Sequence, residues 1–303
     1  MTDMTIFQKT VMEKLPNVEL RFDEPMSRHT SFRIGGPVAV MAFPKRAEEL
    51  SQILKVSALL DINPAILGAG TNVLAPDDGI DGLVVCLKDC MGGMEQLDDT
   101  TIRVAAGVTM TRAAMFAANL GLAGMEFAHG IPGTVGGGVY MNAGAYGGEI
   151  KDICVSVDVM DKAGNITRRS AEEMKFAYRH SILEDEGGIV LSAEFKLHPA
   201  STEEVKATMR ELQNKRSASQ PLDLPSAGSA FKRPVGGFAA ALIDQAGLKG
   251  YTVGGAAIST KHAGFAVNVG GATAKDVQDL LKQVSDIVFE RTGIRLEPEV
   301  RIW

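Results

Sequence analysis

Apolar positions along the chain switch between helical spacing and strand-like runs or alternation, and each switch marks an element. Residues 1–22 read as a short amphipathic helix and a connection. "PVAVMAF" from Pro37 is a strand that Pro44 ends, and "RAEELSQILKVSALL" (46–60) puts Leu50, Ile53 and Leu54 on one helical face. "PAILGAGTNVL" is a short apolar strand running into a glycine turn, and "GLVVCL" (82–87) is another strand. "TIRVAAG" (101–107) alternates as a strand, and "TMTRAAMFAANLG" (109–121) is a helix between a Thr109 N-cap and a Gly121 C-cap. "CVSVDVMD" and "GNITRRS" form a hairpin turning near "KAGN", and the capping-box spacing of "SAEE" (170–173) starts a short helix that Arg179 ends. "GIVLSAEFKL" (188–197) is the strand that closes this region.

The helix "STEEVKATMRELQNKR" (201–216), acidic at its start and basic at its end, links two domains. Residues 217–303 then hold a helix at 237–246, strands near 251–258 and 265–269, and a long helix at 273–292. That helix carries Val277, Leu280, Leu281, Val284, Ile287 and Val288 at core spacing; Gly293 ends it, and "IRLEPEVRIW" is a last strand. The expected division is 1–200, with subdomains of about 25–90 and 91–200, followed by a C-terminal domain over 201–303 whose last strand returns to the active site.

Composition narrows the function classes. With 303 residues, 45% hydrophobic and 22% charged, the chain can bury a sizeable core. Its net charge of −6, without a Lys/Arg block, argues against nucleic acid but leaves room for an anionic small molecule held by local cations. Cys86, Cys90 and Cys154 form no CxxC, which suits a reducing compartment. The polar N-terminus and the lack of a membrane-length apolar run lead us to expect a soluble cytoplasmic protein without a membrane partner. A monomer is the expected state, although no motif sets it. His129 and His262 have no metal-ligand partner at a useful spacing, so no metal is expected.

Two glycine-dense segments, "LGAGTNVL" (67–74) and "HGIPGTVGGGVYMNAGAYGG" (129–148), stand out. Glycines let backbone N–H groups approach an anion closely, and Thr71, Asn72, Thr134 and Asn142 are polar companions. Tight packing turns are the plainer alternative for any one glycine; two loops this dense favour a ligand. Neither the G-x-G-x-x-G fingerprint nor the Walker motif is present, so the residues reach only an anionic ligand, with a dinucleotide as one candidate.

Ser229, in "LPSAGSAFKRP", is a turn residue, a phosphate ligand or a nucleophile by its setting alone. It lacks the G-x-S-x-G elbow, and a hydrolase would need His262 as its base. Arg179 reads as a helix-end cation, and Glu299 as either an outward strand residue or an inward carboxylate suited to acid–base work.

Together "HTSFRIGGPV", "LGAGTNVL", "GIPGTVGGGVYMNAGAYGGEI", "YRHS", "SAGSAFKRP", "AGLKGYTVGGAAISTKHAGFAVN" and "LEPEVRI" resemble, in this order, the UDP-N-acetylenolpyruvoylglucosamine reductase family. The resemblance runs from about residue 25 to the end, and it implies an α+β protein with a vanillyl-alcohol-oxidase-type FAD-binding fold and a C-terminal α/β substrate-binding domain. It further implies FAD and NADPH as cofactors and a UDP-sugar enolpyruvyl ether as substrate, reduced to UDP-N-acetylmuramate for peptidoglycan synthesis. An FAD oxidase of the same fold and a Ser–His hydrolase are the rivals. No insertion bearing a substrate-covering tyrosine is present, which resembles the shorter subclass.

The resemblance also assigns residues. Arg179 would hold the substrate carboxylate and the developing enolate, Ser229 would give the proton to carbon, and Glu299 would assist. Around FAD it places Leu67, Gly68, Ala69, Gly70, Thr71, Asn72 and Leu74, with Gly107. From the second loop it takes Gly130, Ile131, Pro132, Gly133, Thr134, Gly136 and Gly137, then Asn142, Ala143 and Gly144. Arg216 and Arg301 fit flavin-contacting arginines. Lys232, Arg233 and His262 fall to the substrate; Arg233 stands where many members have Asn, so a charge role on the diphosphate is expected of it.

Overall fold

The structure is a computed structural model, described here for residues 5–303. Two compact units are interleaved along the chain. One comprises residues up to Phe22, Val40–Ala69 and Gly82–Asn214; the other comprises Asp23–Ala39, Gly70–Asp81 and Lys215–Trp303. The sequence predicts a domain boundary near residue 200 and a subdomain boundary near 90, whereas these units exchange segments four times before the linking helix Thr202–Ser219, within which the last boundary falls.

In the first unit a five-stranded antiparallel sheet has the order Ile166–Ser170, Cys154–Met160, Ile189–Lys196, Thr101–Ala105, Met94–Gln96. The helix Met110–Asn119 packs here through Ala113, Ala114, Ala117 and Ala118, whose small side chains allow close approach. Thr109 caps it, accepting from the Arg112 N–H as its position before the periodic run predicts. A second core gathers Val40, Ala42, Leu83 and Val85 from strands with Leu50, Ile53 and Leu54 from the helix Ala47–Leu59. Ala65–Leu67 runs parallel to Ile80–Cys86 and delivers the chain directly into the first glycine loop.

In the second unit the sheet order is Ser226–Ser229, Phe265–Asn268, Ala256–Ile258, Thr252–Val253. The helix Ala274–Thr292 covers it with Val277, Leu280, Leu281, Val284 and Val288 buried, each contributing about 1.5–3 kcal/mol by leaving water. Its ends are local: Thr273 and Asp276 form a capping box, and Gly293 closes it at φ 74°. The Asp77 carboxylate accepts from the Ala274 and Lys275 N–H groups (2.7 and 3.2 Å), which fastens the 70–81 segment to this helix start.

Three expectations change. Ser170 and Glu173 make the reciprocal bonds of a capping box, yet residues 171–175 form turns and no helix. Met174 is drawn fully into the core and Lys175 takes φ 45°, which no helix continues. Arg179 therefore ends no helix; it lies in a tight turn closed by paired bonds between Ala177 and His180. The last strand is confined to Arg301–Ile302, paired in parallel with Val73–Leu74, because the preceding residues pair instead with 230–232.

Candidate active site

Within the first unit the two glycine segments meet. A Cβ on Gly68 would lie 2.6 Å from Thr134 Oγ1, so only glycine fits there. Thr134 is itself occupied as the N-cap of Val135–Tyr140, accepting from the Gly137 N–H. The Gly133 carbonyl accepts from Met110, while Val135 and Gly136 donate to Val108 and Ala106. The Gly130 N–H donates to Thr111 Oγ1 at 3.1 Å. The N–H groups of Gly68, Ala69 and Gly133 have no partner among the described residues, leaving three donors for oxygens of a ligand. This donor set, on partly exposed glycine-rich backbone, fits a pyrophosphate such as that of FAD.

The other residues assigned to the cofactor divide between core and surface. Leu67 and Leu74 are core side chains. Gly107 is pressed against the Leu87 and Met91 carbonyls, where a Cβ would come within 2.3 and 2.5 Å. Ile131 packs on the core, and Gly136 abuts Ala106. Pro132 and Gly137 are exposed. Ala143 donates to Gly138, and Gly144 begins the small ribbon with Gly148–Glu149.

Asn142 is fully buried at φ 43°. Its Nδ2 donates to Glu149 Oε2 (2.6 Å) and to the Ala177 carbonyl (2.9 Å), and its Oδ1 accepts from the Lys151 N–H (2.9 Å). Ser181, also fully buried, donates from Oγ to the Tyr140 carbonyl at 2.8 Å. These bonds hold the Ala177–His180 turn against the glycine segment from both ends. Arg179 sits in that turn at φ 54°, a region L residues rarely enter, and its Nη2 donates to the Gly144 carbonyl at 3.4 Å. Sequence reasoning missed Glu149 and Ser181. Both stand inside quoted motifs; Glu149 meets Asn142 seven residues away across the ribbon turn, whereas Ser181 meets Tyr140 41 residues away, and no helical or strand spacing discloses either pairing.

Within the second unit three segments are joined by backbone. Phe231 bridges Pro298, the Glu299 N–H donates to the Ala230 carbonyl (3.0 Å), and Lys232 donates to Glu297 (2.8 Å). The Arg301 N–H donates to Asn72 (3.0 Å), and Asn72 Nδ2 donates to the Glu299 carbonyl (3.3 Å). Gly70 belongs to this unit, its carbonyl accepting from Ser31, and Thr71 follows it into the same loop. Ser229, exposed, is thus carried on the segment next to that of half-buried Glu299. Lys232 and Arg233 are exposed; Lys232 faces Glu297 at 3.6 Å, and the Arg233 guanidinium stacks on Phe238 at 4.1 Å. Arg216 is buried near the end of Thr202–Ser219 and donates to Gln220 Oε1 at 3.4 Å.

His262 accepts from the Gly264 N–H at Nδ1 (3.1 Å) and stands edge-on to Phe265, and burial lowers its pKa. No hydrogen bond joins it to Ser229 among the described residues, so the pair a hydrolase would need is not assembled. Among the described residues no cluster of His, Cys, Asp and Glu could hold a metal ion, and no helix is long and apolar enough to cross a membrane.

Comparison with known proteins supplies the context for this geometry. A family model described as "FAD binding domain" matches residues 38–170, and one described as "UDP-N-acetylenolpyruvoylglucosamine reductase, C-terminal domain" matches residues 220–303. The UDP-N-acetylenolpyruvoylglucosamine reductase of Agathobacter rectalis is 45% identical over 307 residues, 98% of each chain. That of Caldanaerobacter subterraneus subsp. tengcongensis is 46% identical over 290 residues, 96% of this chain and 95% of the other. The crystal structure of UDP-N-acetylenolpyruvylglucosamine reductase from Thermus caldophilus aligns with a TM-score of 0.79 at 35% identity, covering 95% of this chain and 99% of that one. The two matched models agree with the α+β fold class expected from the sequence, an FAD-binding domain followed by a C-terminal domain. The chain belongs to the UDP-N-acetylenolpyruvoylglucosamine reductase family.

Proposed function

We propose that this chain reduces UDP-N-acetylglucosamine enolpyruvate to UDP-N-acetylmuramate with NADPH, and that Arg179, Ser229 and Glu299 carry the substrate half of that reaction. The observation that supports the cofactor loops and Arg179 is the meeting of the two glycine loops at Gly68 and Thr134, with open N–H donors on both and the Arg179 turn bonded to the second; Ser229 and Glu299 rest on the motif resemblance and on the bond from the Glu299 N–H to the Ala230 carbonyl. When bound, FAD supplies hydride transfer from NADPH to the methylene carbon of the enol ether.

Negative charge then develops on the carbon that bears the substrate carboxylate. The Arg179 guanidinium binds the carboxylate and stabilises that charge. Ser229 Oγ–H gives its proton to the same carbon. Serine is a weak acid, but an enolate carbon is a strong base, so a well-placed hydroxyl suffices. Glu299 assists the transfer. Gly68, Ala69 and Gly133 offer backbone donors to the FAD pyrophosphate, with Arg216 and Arg301 toward the flavin. Lys232 and Arg233 hold the UDP diphosphate beside His262, and the stack on Phe238 orients the Arg233 plane.

NADPH and substrate occupy one site in turn, since the sequence offers no second nucleotide motif. The reaction is a cytoplasmic step of peptidoglycan precursor synthesis carried out by a monomer. Three free cysteines suit that compartment.

The experiment is direct. Purified protein should be yellow, bleach with NADPH, and regain its colour when the UDP-sugar enolpyruvyl ether is added. A yellow protein whose reduced form reacts fast with oxygen and ignores that substrate would be an oxidase instead. A colourless protein labelled at Ser229 by a phosphonate would be a hydrolase. Strictly uncompetitive inhibition between NADPH and substrate would rule out the shared site.

A further inference from the structure

We infer that Asn142 is a positioning residue for Arg179, acting through the Ala177 carbonyl, and that its side chain is not a flavin ligand. This rests on the assignment of Arg179 to the substrate carboxylate. The carboxamide has both Nδ2 hydrogens in use, toward Glu149 Oε2 and the Ala177 carbonyl, and its oxygen takes the Lys151 N–H. With the residue fully buried, nothing of the amide is left to donate to a cofactor. Ala177 is the residue whose two bonds with His180 close the turn that carries Arg179. The guanidinium returns to the Gly144 carbonyl, two residues beyond Asn142. One buried amide therefore couples the glycine segment to the cation, and the positive φ of Arg179 persists because the turn is held at Ala177 and at Ser181. The Glu149 carboxylate fixes the amide's orientation and is itself held by Lys151 Nζ at 2.7 Å.

The two Nδ2 bonds can be separated by exchange. Asn142→Asp alone sets two carboxylates together and should weaken folding and FAD retention. Adding Glu149→Gln supplies a donor to the new carboxylate and restores that bond, but an acceptor still faces the Ala177 carbonyl. In the double variant FAD content and melting temperature should recover, and flavin reduction by NADPH should stay within about threefold of the parent. Reoxidation by the enolpyruvyl substrate should remain slow by about 10²-fold, the scale of a misplacement near 1 Å. The same pair of changes placed on Arg179→Ala should cost almost nothing more, because both act through one cation.

Recovery of reoxidation together with FAD retention would overturn the inference, as would a full additional loss on top of Arg179→Ala. If the double variant does not recover FAD, Asn142→Ser serves in its place. Its hydroxyl is too short to reach Ala177, and reoxidation matching the parent in FAD-replete Asn142→Ser would equally overturn it. Arg179→Ala read alone separates the two ideas. If that variant reoxidises normally, the catalytic assignment itself falls.

Discussion

The N–H of Glu299 donates to the carbonyl of Ala230 at 3.0 Å, so the residue that follows Ser229 is bonded to the proposed acid–base partner. Two segments far apart in the chain thereby act as one local frame. Ser229→Ala removes only a hydroxyl from an exposed position in that frame. We expect flavin reduction by NADPH to stay within about twofold and reoxidation by substrate to fall by about 10²–10⁴-fold, because only the second half-reaction consumes the proton. Glu299→Gln should slow the same step. Stopped-flow absorbance of the flavin reads both halves, and equal loss in the two would remove Ser229 from the donor role.

Gly68 and Thr134 give a second test. In Gly68→Ala the new methyl meets Thr134 Oγ1 at 2.6 Å, so the two loops must part. FAD should be retained less well on gel filtration. Thr134→Ala in the same chain clears the contact at the cost of a cap, about 0.5–2 kcal/mol, and should regain part of the flavin. If Gly68→Ala keeps its full FAD complement, the loop meeting does not form the cradle.

What was legible from sequence follows the range of the interactions. The helix Ala274–Thr292 could be read to its ends because Thr273, Asp276 and Gly293 act within a turn of themselves. The box at Ser170 and Glu173 was equally local and did form its bonds, yet burial of Met174 governed what came next. The Arg179 turn depends on Asn142, whose partner Ala177 lies 35 residues away. The transfer of 70–81 to the second unit depends on Asp77 reaching Ala274, 197 residues away. No periodicity encodes either contact. The motif resemblance named Arg179 and Asn142 without revealing that one holds the other's turn.

The three thiols should be unreactive in the folded protein. Burial pushes Cys154 up to about 12 and Cys90 up to about 11, and raises Cys86, so little thiolate exists near neutral pH. Iodoacetamide at pH 7.5 should label the native protein slowly and all three cysteines promptly after unfolding in guanidinium. Rapid native labelling at Cys90, read by peptide mass, would contradict its burial.

Gly293 ends its helix at φ 74°, and a Cβ there would meet no atom within 4 Å. Gly293→Ala therefore isolates the cost of left-handed backbone from any clash. It should lower stability by about 1 kcal/mol, with Asn at the same position costing less because Asn tolerates this region better. Chemical denaturation of the two variants, compared at equal slope, measures the difference. A neutral Gly293→Ala would mean that the cap frays in solution.

His262 makes the last prediction, and it concerns acid. Burial chiefly lowers its pKa below the usual 6.5, and its Nδ1 already accepts from the Gly264 N–H, so the folded protein favours the neutral ring with its proton on Nε2. A group whose folded pKa is depressed contributes stability that is complete above 6.5 and is lost as pH falls through the lowered folded value. Protonation also costs the Nδ1 acceptor, which loosens the turn from Ser259 to Phe265 beside Ser229. His262→Gln cannot take a charge and should flatten this part of the acid limb in melts collected between pH 7.5 and 5. If the wild type and His262→Gln lose stability in parallel over that range, the imidazole is not titrating where its burial places it.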